Sequence, residues 1–346
     1  MKKAIVILLL ALLAAAPMFA NGSSDSSDQL IISTWGLSED DLWVEVFGPF
    51  EEENNVTVVL DVGNAQERYT KLMNDPNTTV DVIELAQKNT ADGVLAGAFD
   101  PIQESEIDNF DLLIPAAQEI IRSGSGAPYT LSSIGIVYNK ANAGIEINHW
   151  ADLWDPALKG KIAIPDLTTT NGPGFLVMCS DVYGVDATTD GGETAFKALA
   201  DLKPNVARTY TKSSDVGNFL KTGEIAVAII ADFGVPVATK ADPDAIYVVP
   251  EEGSYANFNV INITKTCHNR DLAVKYINYR LDAATETRTA EVLNEAPVNT
   301  AVVLTPEVAA NKTVGEVAAK AKVVDFNVIN PLMADWLDRF NRLMNN

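Results

Sequence analysis

A carboxylate next to an aromatic ring can hold an amine, with the acid answering the charge and the ring face lying against the ammonium. Asp232-Phe233 is such a pair and follows the apolar run 227–231 (VAIIA) directly. The same aspartate could equally cap a turn before Gly234. Trp35 stands after another apolar run, 30–34 (LIIST), and beside Gly36, a place that suits the wall of a cleft and equally a core aromatic. Thr168, Thr169 and Asn171 offer hydroxyl and amide groups at a helix start, where free N–H groups also attract anions. Asp166 precedes them, either as a ligand contact or as a cap for the Leu167-Thr168 turn. These groups can bind; none is an obvious nucleophile or base.

Bond-making chemistry has little footing in the sequence. His149 and His268 are the only histidines, and neither has the spacing of a zinc site. Gly191-Gly192 and Gly172-Pro173-Gly174 lack the lysine and serine or threonine of a nucleotide loop, and no Gly-x-Ser-x-Gly occurs. The reading is a binding protein with no enzymatic activity, no metal and no cofactor.

The elements that must position these residues alternate in type. Strands are expected at 30–34, 56–62 and 80–85, with helices over 40–53 (capped by Ser38), 66–73 and around 91–96. Strand, helix, strand in this order predicts a parallel sheet with crossover helices. Ligands of such sheets bind beyond the carboxyl ends of the strands. That rule selects Thr34-Trp35-Gly36, Ala86-Gln87-Lys88, the 166–172 stretch and Asp232-Phe233. Residues 150–166 (WADLWDPALKGKIAIPD) organise the second half: a short helix carrying Trp150, Leu153 and Trp154 with Asn148 as cap, a stop at Pro156, a turn at 159–161 and a buried strand at 162–164. A helix with Pro173 in its first turn and Asn171 or Gly172 ahead of it comes next. Residues 303–346 read as two helices, the last packing back through Trp336, Leu337 and Phe340.

Length and composition are those of a globular chain with room for two cores: 346 residues, 47% hydrophobic and 21% charged. Residues 1–20 combine Lys2-Lys3 with an apolar run at 4–16, shorter than the roughly 18–20 residues of a membrane span, and so predict a secretory signal cleaved after Ala20, followed by a polar linker at 21–28. No cysteine adjoins this segment, so a soluble periplasmic protein is expected, not a lipid-tethered one. The net charge of −22 argues against nucleic acid and is compatible both with a cationic ligand and with plain solubility.

The 150–166 stretch closely resembles the helix–turn–strand element in the second lobe of extracellular solute-binding proteins of ABC importers, nearest to the spermidine/putrescine-binding branch. Ala127-Pro128-Tyr129 through 135–140 (GIVYNK) is similar to that family's first crossing between lobes. Glu251-Glu252-Gly253 leading to 271–279 (DLAVKYINY) is similar to the second, and 295–299 (EAPVN) to a late cleft loop. The resemblance implies an α/β, two-lobed periplasmic-binding-protein-like (type II) fold, each lobe a mainly parallel sheet flanked by helices and joined by hinge crossovers. Lobe one would be 29–137 and 260–303, lobe two 138–259 and 304–346. Cys179 and Cys267 then fall in different lobes and are expected to be unpaired.

The resemblance also implies a monomer that captures a small cationic or polar amine, polyamine-like, and delivers it to an inner-membrane ABC permease. Several positions depart from the polyamine pattern. Asn257 and Asn259 stand where a tryptophan and an ammonium-holding aspartate are implied, Thr168-Thr169-Thr170 where acids are implied, Ala86 and Lys88 for a serine and a tyrosine, and Ala231 for a tryptophan. Glu295 takes the place of a cleft tyrosine. With Asp232 it could supply the missing charge, and Asn259 stays among the expected contacts together with Thr34 and Gln87. A neutral or anionic solute held at the 168–172 helix start, or a secreted enzyme on the same scaffold, are the alternatives.

Overall fold

A computed structural model describes residues 29–36 and 39–345; the expected signal, the linker and the cap Ser38 lie outside the described residues. Its strands are β1 (Gln29–Thr34), β2 (Thr57–Val62), β3 (Val82–Ala86), β4 (Phe99–Asp100), β5 (Ala127–Asn139), β6 (Ile162–Pro165), β7 (Val206–Tyr210), β8 (Val227–Ala231), β9 (Ala245–Val248), β10 (Tyr255–Thr264) and β11 (Lys322–Val323). They join in one ladder, β2-β1-β3-β10-β5-β8-β6-β7, with β4 and β11 on β10 and β9 on β5. β1 runs parallel to β2 and β3, and β6 runs parallel to β7 and β8. Two antiparallel strands, β10 and β5, stitch these wings together. β3 and β8 are buried along their whole length, as parallel strands covered by helices on both faces must be.

Each wing has its own core. One holds Leu30, Ile32, Phe47, Phe50, Leu131, Phe258 and Tyr276, the other Ile134, Ile136, Trp150, Phe175, Trp336 and Phe340. Within β5 the side chains change allegiance between Leu131 and Ile134, and within β10 between Tyr255 and Ala256. Both changes come earlier in the chain than the crossings expected near Val137 and Val260. β5 is buried almost throughout, and Ser132-Ser133 stand where one core gives way to the other.

Proline reshapes three expected elements. The helix over 40–53 is α-helical at Glu39–Leu42, π-helical at Trp43–Phe47 and α-helical again at Gly48–Asn54. Pro49 has no N–H for the carbonyl of Glu45, which instead lies 3.4 Å from an Arg288 donor, while Gly48 N–H reaches back to Trp43. Leu42, Val46 and Phe50 still share the buried face. Trp150–Trp154 is a 3₁₀ turn ending before Pro156, which begins a second turn, Pro156–Leu158, where a stop was expected. His149, not Asn148, is its cap position, and Asp152 accepts both their N–H groups at 2.8 Å. In β5, Pro128 cannot donate to the ladder. The register slips there, with Asn259 opposite Thr130 but Val260 opposite Pro128, leaving Tyr129 as the extra residue of a bulge.

The C-terminal region is more broken than the two helices expected. Helices Pro306–Ala309, Gly315–Lys320 and Phe326–Ile329 precede Met333–Asn345. The last packs on the second core through buried Trp336 and Phe340 and partly buried Leu337. Cys179 is buried and Cys267 half-buried, and both are free thiols. Among the described residues no helix is long and apolar enough to cross a membrane, and no cluster of His, Cys, Asp or Glu could hold a metal ion.

The helix Gly172–Val182 starts hard against the turn before it. A Cβ on Gly172 would lie 2.4 Å from the carbonyl oxygen of Asp166 and 2.5 Å from the Leu167 Cα, both backbone atoms that cannot rotate away. Gly172→Ala is therefore expected to destabilise the protein by about 1–3 kcal/mol, visible as a lower urea midpoint; an unchanged midpoint would refute this packing.

Candidate functional site

Strand ends from both wings converge on a cavity of about 200 Å³, the volume of roughly six or seven liquid waters. β1 delivers Trp35, and β3 delivers Glu84. The β5 bulge and the residues just after it deliver Tyr129, Thr130, Leu131 and Ser132. From β8 come Asp232 and Phe233, from β10 Asn257 and Asn259, and from the late loop Leu293, Asn294, Glu295 and Ala296, with Leu42 and Thr170 completing the wall. A larger hollow of about 810 Å³ under the 303–323 segment is lined by apolar and small polar residues with no charged group. The smaller cavity is the one with chemistry in it.

Three carboxylates, Glu84, Asp232 and Glu295, line this cavity, and among the described residues no lysine, arginine or histidine does. Glu84 is 1% exposed; it accepts hydrogen bonds from Thr34 and Tyr276 hydroxyls, each at 2.6 Å. Glu295 is held by Arg280, whose Nη2 lies 3.3 Å from both of its oxygens. Asp232 sits where the two cores meet. Its Oδ2 accepts from the Thr313 N–H (3.0 Å) and hydroxyl, and its Oδ1 from Phe233 N–H (2.8 Å). Burial pushes its carboxyl up to about 6, against the downward pull of those bonds and one from Ser133. The wall also holds an unpaired acceptor, since Asn257 Nδ2 donates to Asn171 at 3.4 Å and its buried Oδ1 has no partner.

The aromatic surface is braced from behind. Trp35 donates its indole N–H to the Tyr129 hydroxyl at 3.1 Å, and the Arg68 guanidinium lies 4.9 Å from its ring centroid. Arg280 stacks on Tyr129 at 4.3 Å. Phe233 remains 42% exposed at the edge.

The sequence-selected residues divide accordingly. Trp35, Asp232, Phe233, Asn259 and Glu295 line the cavity. Thr34, Gln87, Asp166, Thr168, Thr169 and Asn171 do not, and each makes a side-chain hydrogen bond within the fold. Thr34 serves Glu84, and Gln87 accepts from Phe258 N–H at 3.2 Å. Asp166 accepts from both the N–H and the hydroxyl of Thr168, and the Thr169 hydroxyl binds the Asp166 carbonyl. Asn171 is the cap position of Gly172–Val182 and accepts from Asn257. At that helix start Gly172 N–H is taken by Thr169, Pro173 has none, and Phe175 N–H is taken by Asn171. Glu84 and Tyr129 were not selected; an acid inside the apolar strand 82–86 and an aromatic following a mid-sheet proline were their available signals.

The family model for bacterial extracellular solute-binding proteins matches residues 45–316. A crystal structure of an ABC transporter protein from Clostridium perfringens superposes with a TM-score of 0.86 and 49% identity, covering 91% of this chain and all of that one. The spermidine/putrescine-binding periplasmic protein of Escherichia coli (strain K12) is 26% identical over 290 residues, 78% of this chain and 80% of that one. A gamma-aminobutyric acid-binding protein of Pseudomonas aeruginosa is 23% identical, also over 290 residues, 81% and 79% of the two chains.

Proposed function

We propose, since the chain belongs to the bacterial extracellular solute-binding proteins and serves a membrane ABC permease, that the solute it captures is a small amine bearing positive charge, held between the lobes by Asp232, Glu84 and Glu295. One observation carries this reading: the wall presents three carboxylates and the unpartnered Asn257 oxygen, and among the described residues no cationic side chain. Closure on a ligand is stable only when its polar atoms are met from both sides, and these acceptors come from both wings. Trp35, Tyr129 and Phe233 add ring faces suited to an ammonium or to the methylenes between two of them. The protein binds and does not turn its ligand over.

The relatives' names add support. One binds spermidine and putrescine and another gamma-aminobutyric acid, and all three compounds carry a primary amine. An anion at the Gly172 helix start has less in its favour, because the Gly172 and Phe175 N–H groups are already taken by Thr169 and Asn171 and Pro173 has none. The two cores favour a lobe one built on 29–131 with 256–300 and a lobe two built on 134–255 with the C-terminal helices, a monomer hinged at β5 and β10. Residues 1–20 suit a cleaved export signal, with Asn21 the expected first residue of the exported chain.

Denaturing protein purified from its native host and identifying the released solute by mass spectrometry tests the reading. A small amine is expected; a carboxylic acid or sugar without an amine would overturn it.

A further inference from the structure

Asp232 follows β8 of the second wing, yet its carboxylate is held by a segment that lies on the first. Residues 303–323 cover the larger hollow beside Ile114, Leu131 and Phe258, and Ala318 and Ala321 pack against the first core; only at Val324 does the chain enter the second. Thr313, 1% exposed, sits midway along this segment and lines that hollow, not the cleft cavity. Its N–H (3.0 Å) and its hydroxyl both donate to Asp232 Oδ2. A threonine hydroxyl has one proton to give. With that proton on Asp232, the 2.7 Å contact between the Thr313 and Ser133 oxygens makes buried Ser133 the donor. Donation therefore runs from Ser133 to Thr313 to Asp232, and each bond polarises the next. Ser133 stands in β5 where one core gives way to the other, so the hinge strand, the C-terminal segment and a ligand-facing acid share one chain of hydroxyls.

We infer that Thr313 is a positioning residue: without touching the solute, its hydroxyl, backed by Ser133, holds the Asp232 carboxylate ready for the solute's ammonium. This rests on the amine reading, with Asp232 as one of its contacts. Donation to a carboxylate favours the charged form, so Thr313 opposes the burial that pushes Asp232 up to about 6. Thr313→Val replaces the hydroxyl by a methyl of similar size and leaves the backbone N–H in place. It takes one donor from the acid and the acceptor from Ser133. Lys312 on the same segment and Tyr247 on β9 also face Asp232, and Phe233 and Ser133 add uncharged donors. All four remain in the variant, so a difference in pH profile belongs to the hydroxyl.

Calorimetric titration of 1,4-diaminobutane from pH 5 to 8.5 tests the role. In the wild-type protein the affinity is expected to fall as the pH drops through about 6. In Thr313→Val that fall should begin roughly one pH unit higher, the worth of one charged hydrogen bond. The variant should then bind roughly five- to tenfold more weakly at the acid end and nearly as well as wild type at the alkaline end. Thr313→Ser, which restores the hydroxyl, should restore the wild-type profile. Ser133→Ala should move the fall in the same direction by a smaller step, and it carries the test should the valine variant not fold. A loss that is equal at every pH, or an unshifted profile in Thr313→Val (in Ser133→Ala where only that variant folds), overturns the positioning role and leaves the amine reading standing. A wild-type affinity that does not fall with acid removes the Asp232 contact and the inference with it, and a protein that binds no diamine overturns both readings.

Discussion

Asp232→Asn is expected to weaken binding of 1,4-diaminobutane roughly 10- to 100-fold, the worth of one charged hydrogen bond at about 1.5–3 kcal/mol. Asn keeps one carbonyl oxygen, which can still accept from the Thr313 N–H and hydroxyl, but its amide group then faces the Phe233 N–H, donor against donor. A stability loss on the order of 1 kcal/mol is therefore expected beside the larger loss of affinity. Near-wild-type circular dichroism with a weakened titration would isolate the charge. The same contact makes binding pH-dependent. With its carboxyl near 6, Asp232 is ionised at neutral pH and protonated in acid. The dissociation constant of the diamine should then rise by up to about tenfold per pH unit below that value. Lys312 and Tyr247 face the same carboxylate: burial lowers the Lys312 ammonium from its usual range against the opposing pull of Asp232, and burial raises the Tyr247 phenol. An Asn variant with unchanged affinity would remove Asp232 from the site.

Glu286 gives the second large effect, on stability. It is 2% exposed on the helix Ala283–Val292; its Oε2 accepts the Asn299 N–H at 2.8 Å while Oε1 has no partner. Burial pushes its carboxyl up to about 8, outweighing the bonds from the 298–299 backbone and the charge of Arg280. In the unfolded chain it titrates near 4.3. Between these values the folded protein holds a proton that the unfolded chain has released, so stability is greatest below the unfolded value and is lost as pH rises towards 8. The slope is about 1.4 kcal/mol per pH unit. Asp232, raised to about 6, adds a loss of the same sign between about 3.9 and 6. Thermal or urea unfolding across pH 5–8.5 should show a steady fall above pH 6, and Glu286→Gln, which mimics the protonated acid, should flatten it. Equal slopes in the two proteins would contradict a buried neutral carboxyl.

The parts of the site legible in the sequence were those fixed by where strands end. The runs 30–34 and 227–231 are unambiguous buried strands, so Trp35 and Asp232-Phe233 follow from the strand-end rule. That rule selects loops, not side chains. At 166–172 the loop was found, yet short polar residues hydrogen-bond their own turn so readily that Asp166, Thr168 and Thr169 are consumed locally and only Thr170 reaches the cavity. Thr34 and Gln87 are spent in the same way on Glu84 and the β10 backbone. Tyr129 depends on a bulge between strands far apart in sequence, with the preceding proline its one local sign, and Arg280 depends on the packing of a helix behind the wall and has no local signature. A second crossing between lobes was expected near Val260 from the resemblance; that it is a single antiparallel strand, β10, set between β3 and β5 was not, since one such strand leaves no pattern of its own.

The sign of the ligand's charge is the central claim, and calorimetry at pH 7.5 and low salt with two four-carbon compounds, 1,4-diaminobutane and succinate, tests it most directly. Saturable one-to-one binding of the diamine and none of the dicarboxylate is expected from a wall of Glu84, Asp232 and Glu295. Binding of succinate with no heat from the diamine would contradict the account.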